Sequence, residues 1–128
     1  MNEESEKKNK TILVADDDTV FREFIKTQLE RSGYNVIEAI DGIDAIRKFV
    51  DHKDSIELLI IDVIMPKMHG REVFESIKKM RPGIRSIFVS GYEADFISKK
   101  IESEEQIYLI LKAELPKILL PKVNEILS

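Results

Sequence analysis

The hydrophobic and polar positions of this chain fall into short apolar runs separated by longer segments of helical periodicity. The most apolar run, residues 58–61, begins after a polar start and ends at Asp62, with Pro66 four residues later. A short apolar run closed by a turn signal is typical of a strand buried on both faces of a parallel sheet. Similar runs occupy residues 11–15, 34–39, 84–90 and 107–111, so the pattern predicts five strands.

Between these runs the apolar residues recur every three to four positions, which indicates amphipathic helices. Helices are predicted over 19–31, 43–50, 70–80 and 93–105, with a last helix carrying apolar residues from 115 to 127. Gly33 is predicted to end the first helix. Pro116 suits a first helical turn, whereas Pro121 is expected to kink the last helix or to delay its start.

The resulting order, strand then helix repeated five times, predicts an α/β fold with a doubly wound parallel sheet and helices on both faces. The length of 128 residues favours one domain over 10–128, preceded by a flexible charged tail over 1–9. The chain has no cysteine, which excludes disulfide frameworks and thiolate metal sites and agrees with a reducing compartment, so we expect a cytoplasmic protein. A net charge of −4 gives no support for nucleic-acid binding, and no apolar run approaches a membrane span.

Polar side chains follow four of the five predicted strands, and parallel strands share one carboxyl edge. They are Asp16 and Asp17, then Asp62, Ser90 and Lys112. Neighbouring carboxylates repel one another, and a divalent cation with oxygen ligands, such as Mg²⁺, reverses that cost. The aspartates over 16–18 alone would more simply cap the helix beginning at Thr19. Four strand ends with suitable groups favour a site instead.

This set of groups fits the capture of a phosphoryl group. A carboxylate beside Mg²⁺ can attack a phosphoryl group and hold it as an acyl phosphate. The ammonium of Lys112 can neutralise phosphoryl oxygens, and the hydroxyl of Ser90 can donate a hydrogen bond to one of them.

Several motifs, in this order and spacing, resemble the receiver domain of two-component response regulators. The resemblance covers about residues 10–128 and is carried by residues 12–18 (Ile-Leu-Val-Ala-Asp-Asp-Asp), Gly33-Tyr34, Asp41-Gly42, residues 62–66 (Asp-Val-Ile-Met-Pro), residues 90–92 (Ser-Gly-Tyr) and Lys112. It implies a flavodoxin-like fold with the sheet order 2-1-3-4-5.

The resemblance also implies a role for each site residue. Asp62 would be the phosphoacceptor, Ser90 the switch hydroxyl and Lys112 the phosphate-binding lysine. The implied Mg²⁺ ligands are Asp16, Asp17, Asp62 and the backbone carbonyl of Ile64. The phosphodonor would be a phosphohistidine on a sensor histidine kinase or a histidine phosphotransfer protein, docked near Val20 and the Ala113-Glu114 loop. The segment 90–92 further resembles receivers of hybrid sensor kinases.

Two departures from the family pattern lie near the fifth strand. Ala113 follows Lys112 where the family has a proline after a typically cis bond, and a cis bond before a non-proline costs about 2.5–4 kcal/mol. We therefore predict a trans Lys112–Ala113 bond and a shifted loop. The usual aromatic position is Leu109, while Tyr108 is expected on the opposite face of the sheet, which puts switching through an aromatic side chain in question.

Two alternatives stay open at this point. The order Asp16-Asp17-Asp18-Thr19 also satisfies the Asp-x-Asp pattern of haloacid-dehalogenase-like phosphatases, which would use Asp16 as the nucleophile and leave Asp62 without a role. The second alternative is a receiver-like interaction module that works without phosphorylation. Our preferred interpretation is a signalling module that is not a turnover enzyme, with an undetermined oligomeric state.

Overall fold

A computed structural model describes residues 10–91 and 106–128 of the chain. The predicted tail over 1–9, Tyr92 and the predicted helix over 93–105 lie outside these residues. The elements are β1 (Thr11–Ala15), α1 (Thr19–Arg31), β2 (Asn35–Ala39), α2 (Gly42–His52), β3 (Ile56–Asp62), α3 (Gly70–Met80), β4 (Arg85–Ser90), β5 (Ile107–Leu111), a 3₁₀ turn (Lys112–Glu114) and α4 (Leu115–Leu127).

The five strands form one sheet in the order β2-β1-β3-β4-β5, and every neighbouring pair is parallel. The central strand β3 is buried along most of its length, as its apolar sequence predicts. The α/β class and the order 2-1-3-4-5 are therefore confirmed. Because all strands run the same way, their carboxyl ends meet at one edge of the sheet.

Alternating strand residues supply two separate hydrophobic layers, one on each face of the sheet. Leu13 and Leu59 pack with the apolar faces of α2 and α3, whereas Ile12 and Leu58 pack with α1 and α4. Helices thus cover both faces, as predicted. Leu109 belongs to the first layer and Tyr108 to the second, which confirms that these neighbours point to opposite faces.

Local signals fix the helix boundaries. Asp18 caps α1 and Asp41 caps α2, each by accepting backbone N–H groups of the first turn. His69 is partly buried and caps α3 by accepting the Arg71 N–H at 3.1 Å. Gly33 has φ 97°, the left-handed conformation expected just after a helix end.

The structure decides one of the two alternatives predicted for the last helix. The delayed start is wrong, because the helix runs from Leu115 and contains Pro121 in its interior, with Pro116 in its first turn as predicted. The kink at Pro121 stays a prediction. Pro121 and Lys117, whose carbonyl loses a helical partner, are both exposed, so water can satisfy that carbonyl. Within the described residues every peptide bond is trans, which confirms the trans Lys112–Ala113 bond.

None of the helices in residues 10–91 and 106–128 combines the length and the apolar character needed to cross a bilayer.

Candidate functional site

The carboxyl edge of the sheet brings together the polar residues that the sequence singled out. Asp16 follows β1 directly, Asp62 is the last residue of β3, Ser90 is the last residue of β4, and Lys112 follows β5. Val89 pairs with Asp62 in the sheet, which places Ser90 one residue beyond that pair. Asp16, Asp62 and Ser90 are buried, so the strand ends place polar groups in the interior rather than in water.

Lys112 joins the two buried carboxylates. Its Nζ donates a hydrogen bond to Oδ2 of Asp62 at 3.1 Å and lies 3.8 Å from Oδ2 of Asp16. The exposed fraction of the Lys112 side chain is only 17%. Burial acts to lower the pKa of Lys112, but the hydrogen bond to Asp62 and the nearby carboxylates raise it above its ordinary value. The lysine is therefore a fixed positive charge at this edge.

Asp16, Asp17 and Asp62 form an acidic cluster, in which one carboxylate oxygen of each residue lies within 4.8 Å of the others. Burial raises the pKa of Asp16 to about 7, and repulsion from Asp62 adds to that effect. Oδ1 of Asp16 accepts the Asp18 N–H at 2.8 Å, but its buried Oδ2 has no hydrogen-bond partner among the described residues. Asp17 is exposed and opens the cluster to solvent.

The acidic cluster fits a small divalent cation. Its donors are carboxylate oxygens only, which are the ligands that Mg²⁺ prefers, and one of them is a buried oxygen without a hydrogen bond. The N–H of Ile64 donates to Oδ1 of Asp62 at 3.2 Å, which places Ile64 beside the cluster. The role of the Ile64 carbonyl as a metal ligand stays a prediction.

Hydrogen bonds to the backbone hold the segments around Asp16 and Asp62 in place. The Asp16 N–H donates to the carbonyl of Ala39, and the Asp16 carbonyl accepts Nη1 of Arg22 at 2.7 Å. The N–H of Gly70 donates to the carbonyl of Val63 at 2.8 Å, next to Asp62. A side chain at Gly70 would overlap the Asp62 carbonyl, so the start of α3 can approach β3 this closely only with glycine.

The sequence did not identify two residues at this site. Phe21 lies within the helix predicted over 19–31, and its ring centroid lies 4.3 Å from Nζ of Lys112. Arg22 was not singled out, although it contacts the backbone of Asp16. Helical spacing places both residues on α1 but does not show where their side chains point. Only their closeness in the sequence to the aspartates over 16–18 could have suggested a place at this site. Tyr92, the last residue of the motif over 90–92, lies outside the described residues.

A parallel α/β sheet with an acidic cluster, a partly buried lysine and a serine at its carboxyl edge is typical of open α/β proteins that bind ligands at this edge. A family profile described as the response regulator receiver domain matches residues 12–124. The chain therefore belongs to this family and is a receiver domain of two-component signalling. This assignment gives no support to the phosphatase alternative.

Several known proteins are similar to this chain. Sensor kinase CckA of Brucella abortus is 29% identical over 92% of this chain, which spans only 12% of that kinase. Response regulator receiver protein CpdR of the same organism is 29% identical over 91% of this chain and 93% of its own length. The structure of the response regulator TrrA from Thermotoga maritima, in complex with Mg²⁺-BeF, superposes with a TM-score of 0.77 at 27% identity, covering 91% of this chain and 98% of TrrA.

Proposed function

We propose that this receiver domain accepts a phosphoryl group on Asp62 in a Mg²⁺-dependent reaction and passes on a signal through the resulting change in its surface. The observation that carries the proposal is the setting of Asp62, whose carboxylate is buried, bonded to Lys112 and adjacent to two further carboxylates. No other described aspartate combines these features at a strand end.

In the proposed reaction a carboxylate oxygen of Asp62 attacks the phosphorus of a phosphohistidine. The new P–O bond forms as the P–N bond breaks, and the imidazole of the donor keeps the electron pair and takes up a proton. Lys112, already beside this carboxylate, neutralises negative charge on the transferred group. Ser90, at the end of the neighbouring strand, would donate a hydrogen bond to a phosphoryl oxygen.

Asp16, Asp17, Asp62 and the Ile64 carbonyl would hold the Mg²⁺. When bound, the ion supplies positive charge that offsets repulsion between the carboxylates and the incoming phosphoryl group. The Mg²⁺ complex of TrrA, a similar domain, supports this choice of metal. Each donor molecule would phosphorylate one receiver domain. The domain would not turn over substrate as an enzyme does.

The test uses acetyl phosphate as a small donor, with intact-mass measurement and peptide mapping of the modified residue. The proposal predicts one phosphoryl group on Asp62, lost in Asp62→Asn and when EDTA removes Mg²⁺. Asp51→Asn, at an exposed position of α2, is the matched control and should be labelled like the parent chain. Label on Asp16 would restore the phosphatase alternative, and no label on any residue would favour the module that works without phosphorylation.

The proposed partner is a sensor histidine kinase or a histidine phosphotransfer protein, and the similarity to CckA supports a kinase-linked receiver. Its docking surface would include Val20, whose side chain is 75% exposed at the start of α1, and the exposed Ala113–Glu114 turn. Val20→Lys should slow transfer from a phosphorylated phosphotransfer domain but not from acetyl phosphate. Ile43→Lys, at an exposed apolar position of α2, is the control and should slow neither reaction.

A further inference from the structure

The ammonium of Lys112 has two kinds of neighbour. Two carboxylates of the acidic cluster lie at 3.1 Å for Asp62 and 3.8 Å for Asp16. The ammonium also lies over the ring of Phe21, with the ring centroid 4.3 Å from Nζ. We propose that Phe21 is a positioning residue that holds Lys112 against Asp62 for phosphoryl capture. This inference rests on the function proposed above.

The distance distinguishes this contact from the other lysine–aromatic contacts in the described parts of the chain. Nζ of Lys122 lies 5.5 Å from the Tyr108 ring centroid, and Nζ of Lys78 lies 5.8 Å from that of Phe74. A cation above an aromatic face is attracted by the negative charge of that face, and the attraction grows as water is excluded. The partly buried Lys112 therefore has the strongest such contact of the three.

A lysine needs this kind of support at a phosphoryl site. Its ammonium sits at the end of four rotatable bonds, and fixing such a side chain costs conformational entropy. Asp62 must also change its hydrogen bonds when it is phosphorylated, so the carboxylate alone cannot hold Lys112 in place throughout the reaction. The Phe21 ring does not change during the reaction and, at 4.3 Å from Nζ, keeps the ammonium near the acidic cluster.

The position of Phe21 follows from the segment that also builds the acidic cluster. Asp18 caps α1 by accepting the N–H groups of Val20 at 2.9 Å and of Phe21 at 3.4 Å. The cap fixes the first turn of α1 relative to the preceding Asp16 and Asp17. Six consecutive residues, 16–21, thus supply two carboxylates of the cluster, the cap and the ring that contacts Lys112.

The test compares three variants in the full chain, with acetyl phosphate and Mg²⁺ so that no protein partner is needed. Phe21→Leu should lower the initial rate of Asp62 phosphorylation roughly 3- to 30-fold, the range expected for a partly desolvated cation–aromatic contact. Phe21→Tyr keeps the ring and should stay within about twofold of the parent rate. Phe24→Leu loses the same side-chain volume one turn along, from a residue that packs against the same hydrophobic layer, and should keep the parent rate.

A second measurement does not depend on phosphorylation. The ring current of Phe21 should shift the ε-methylene protons of Lys112 upfield of those of exposed lysines in NMR spectra of the free protein. Phe21→Leu should remove this shift, whereas Phe21→Tyr and Phe24→Leu should keep it.

The inference is overturned if Phe21→Leu is phosphorylated at the parent rate, or if Phe24→Leu is slowed as much as Phe21→Leu. It is also overturned if the Lys112 signals are unchanged in Phe21→Leu. Failure of the proposed function gives a different result, because the parent chain itself would then take up no phosphoryl group while the lysine shift still reported the contact.

Discussion

Arg22 connects the acidic cluster to a charged group on the neighbouring strand. Its Nη1 donates to the carbonyl oxygen of Asp16 at 2.7 Å, and its Nε donates to Oε1 of Glu38 at 3.2 Å. The Arg22 side chain is only 13% exposed. We predict that Arg22→Met, which keeps most of the aliphatic stem, destabilises the fold and weakens Mg²⁺ binding.

The magnitude follows from the groups that lose a partner. A hydrogen bond from a charged donor contributes about 1.5–3 kcal/mol, and the buried carbonyl of Asp16 would lose its donor in the variant. The ion pair with Glu38 adds little, because that carboxylate is partly exposed and solvent screens it. The free energy of unfolding should therefore fall by about 1.5–3 kcal/mol. Mg²⁺ affinity should fall with it, since the Asp16 carboxylate is carried by the backbone that Arg22 holds.

Lys26→Met is the matched control for this prediction. Nζ of Lys26 lies 3.2 Å from Oε2 of Glu38, so the variant removes a cation from the same carboxylate without touching Asp16. Urea unfolding is followed by circular dichroism, since the chain has no tryptophan, and Mg²⁺ binding is measured by calorimetry. The reasoning is refuted if Lys26→Met lowers stability as much as Arg22→Met, or if Arg22→Met binds Mg²⁺ like the parent chain.

Three further predictions concern the fold around the site. Gly70→Ala should destabilise the chain by at least about 1–3 kcal/mol, because the new methyl group meets the last carbonyl of β3. Gly83→Ala, where nothing lies within 4 Å of the added carbon, is its control, and equal urea midpoints for the two would contradict the packing argument. Ser86→Ala should stabilise the chain by about 1 kcal/mol, because the buried Ser86 hydroxyl has no hydrogen-bond partner in the described parts of the chain; a lower urea midpoint would argue against this. The Asp44 N–H donates to the Asp41 carboxylate and holds the pKa of Asp41 below its ordinary value of 3.8. The charged carboxylate therefore stabilises the fold at pH values above 3.8. This stabilisation is lost as the pH falls through the lower pKa of the folded state. Asp41→Ala should cost about 1 kcal/mol at neutral pH, and urea midpoints measured down to about pH 3 should converge with those of the parent chain.

The fold could be predicted almost completely from the sequence because its two layers follow simple periodicities. The period of two along each strand and the period of 3.6 along each helix both survive in the structure, and the parallel order places every strand end at one edge. The predicted starts of β2 and β4 were one residue early, since Tyr34 and Ile84 are buried just before those strands begin. The apolar pattern of the sequence indicates which residues are buried. It does not indicate at which residue the hydrogen bonds of the sheet begin.

The aspartates over 16–18 show how two sequence interpretations can both hold. The cap and the cation site are alternatives in the sequence, but the structure divides the triplet between them. Asp18 caps α1 through its side chain, while Asp16 and Asp17 join Asp62 in the acidic cluster. Adjacent identical residues can therefore serve different sites.

The contacts of Phe21, Arg22 and Lys67 depend on geometry that no local pattern reports. Lys67 has φ 71°, unusual for a residue with a side chain, and its Nζ lies 3.2 Å from Oδ2 of Asp41. This contact joins the loop after β3 to the start of α2, two segments that lie far apart in the sequence. Contacts of this kind are set by how helices pack on the sheet, and periodicity gives only the face that packs.

The charge balance at the carboxyl edge shows that the acidic cluster has an energetic cost. Three carboxylates lie together there, and one ammonium contacts the two that are buried, so burial without full pairing opposes folding at this edge. Apolar residues at Asp16 and Asp62 would remove this cost, but they would also remove two of the three carboxylates of the acidic cluster. A ligand that binds only the folded chain stabilises it, and this stabilisation increases with the affinity and concentration of the ligand. Oδ2 of Asp16 has no hydrogen-bond partner among the described residues and lies 3.8 Å from the Lys112 ammonium. It is thus better understood as binding capacity than as a packing defect, because a cation bound there would couple ligand binding to the stability of the strand ends.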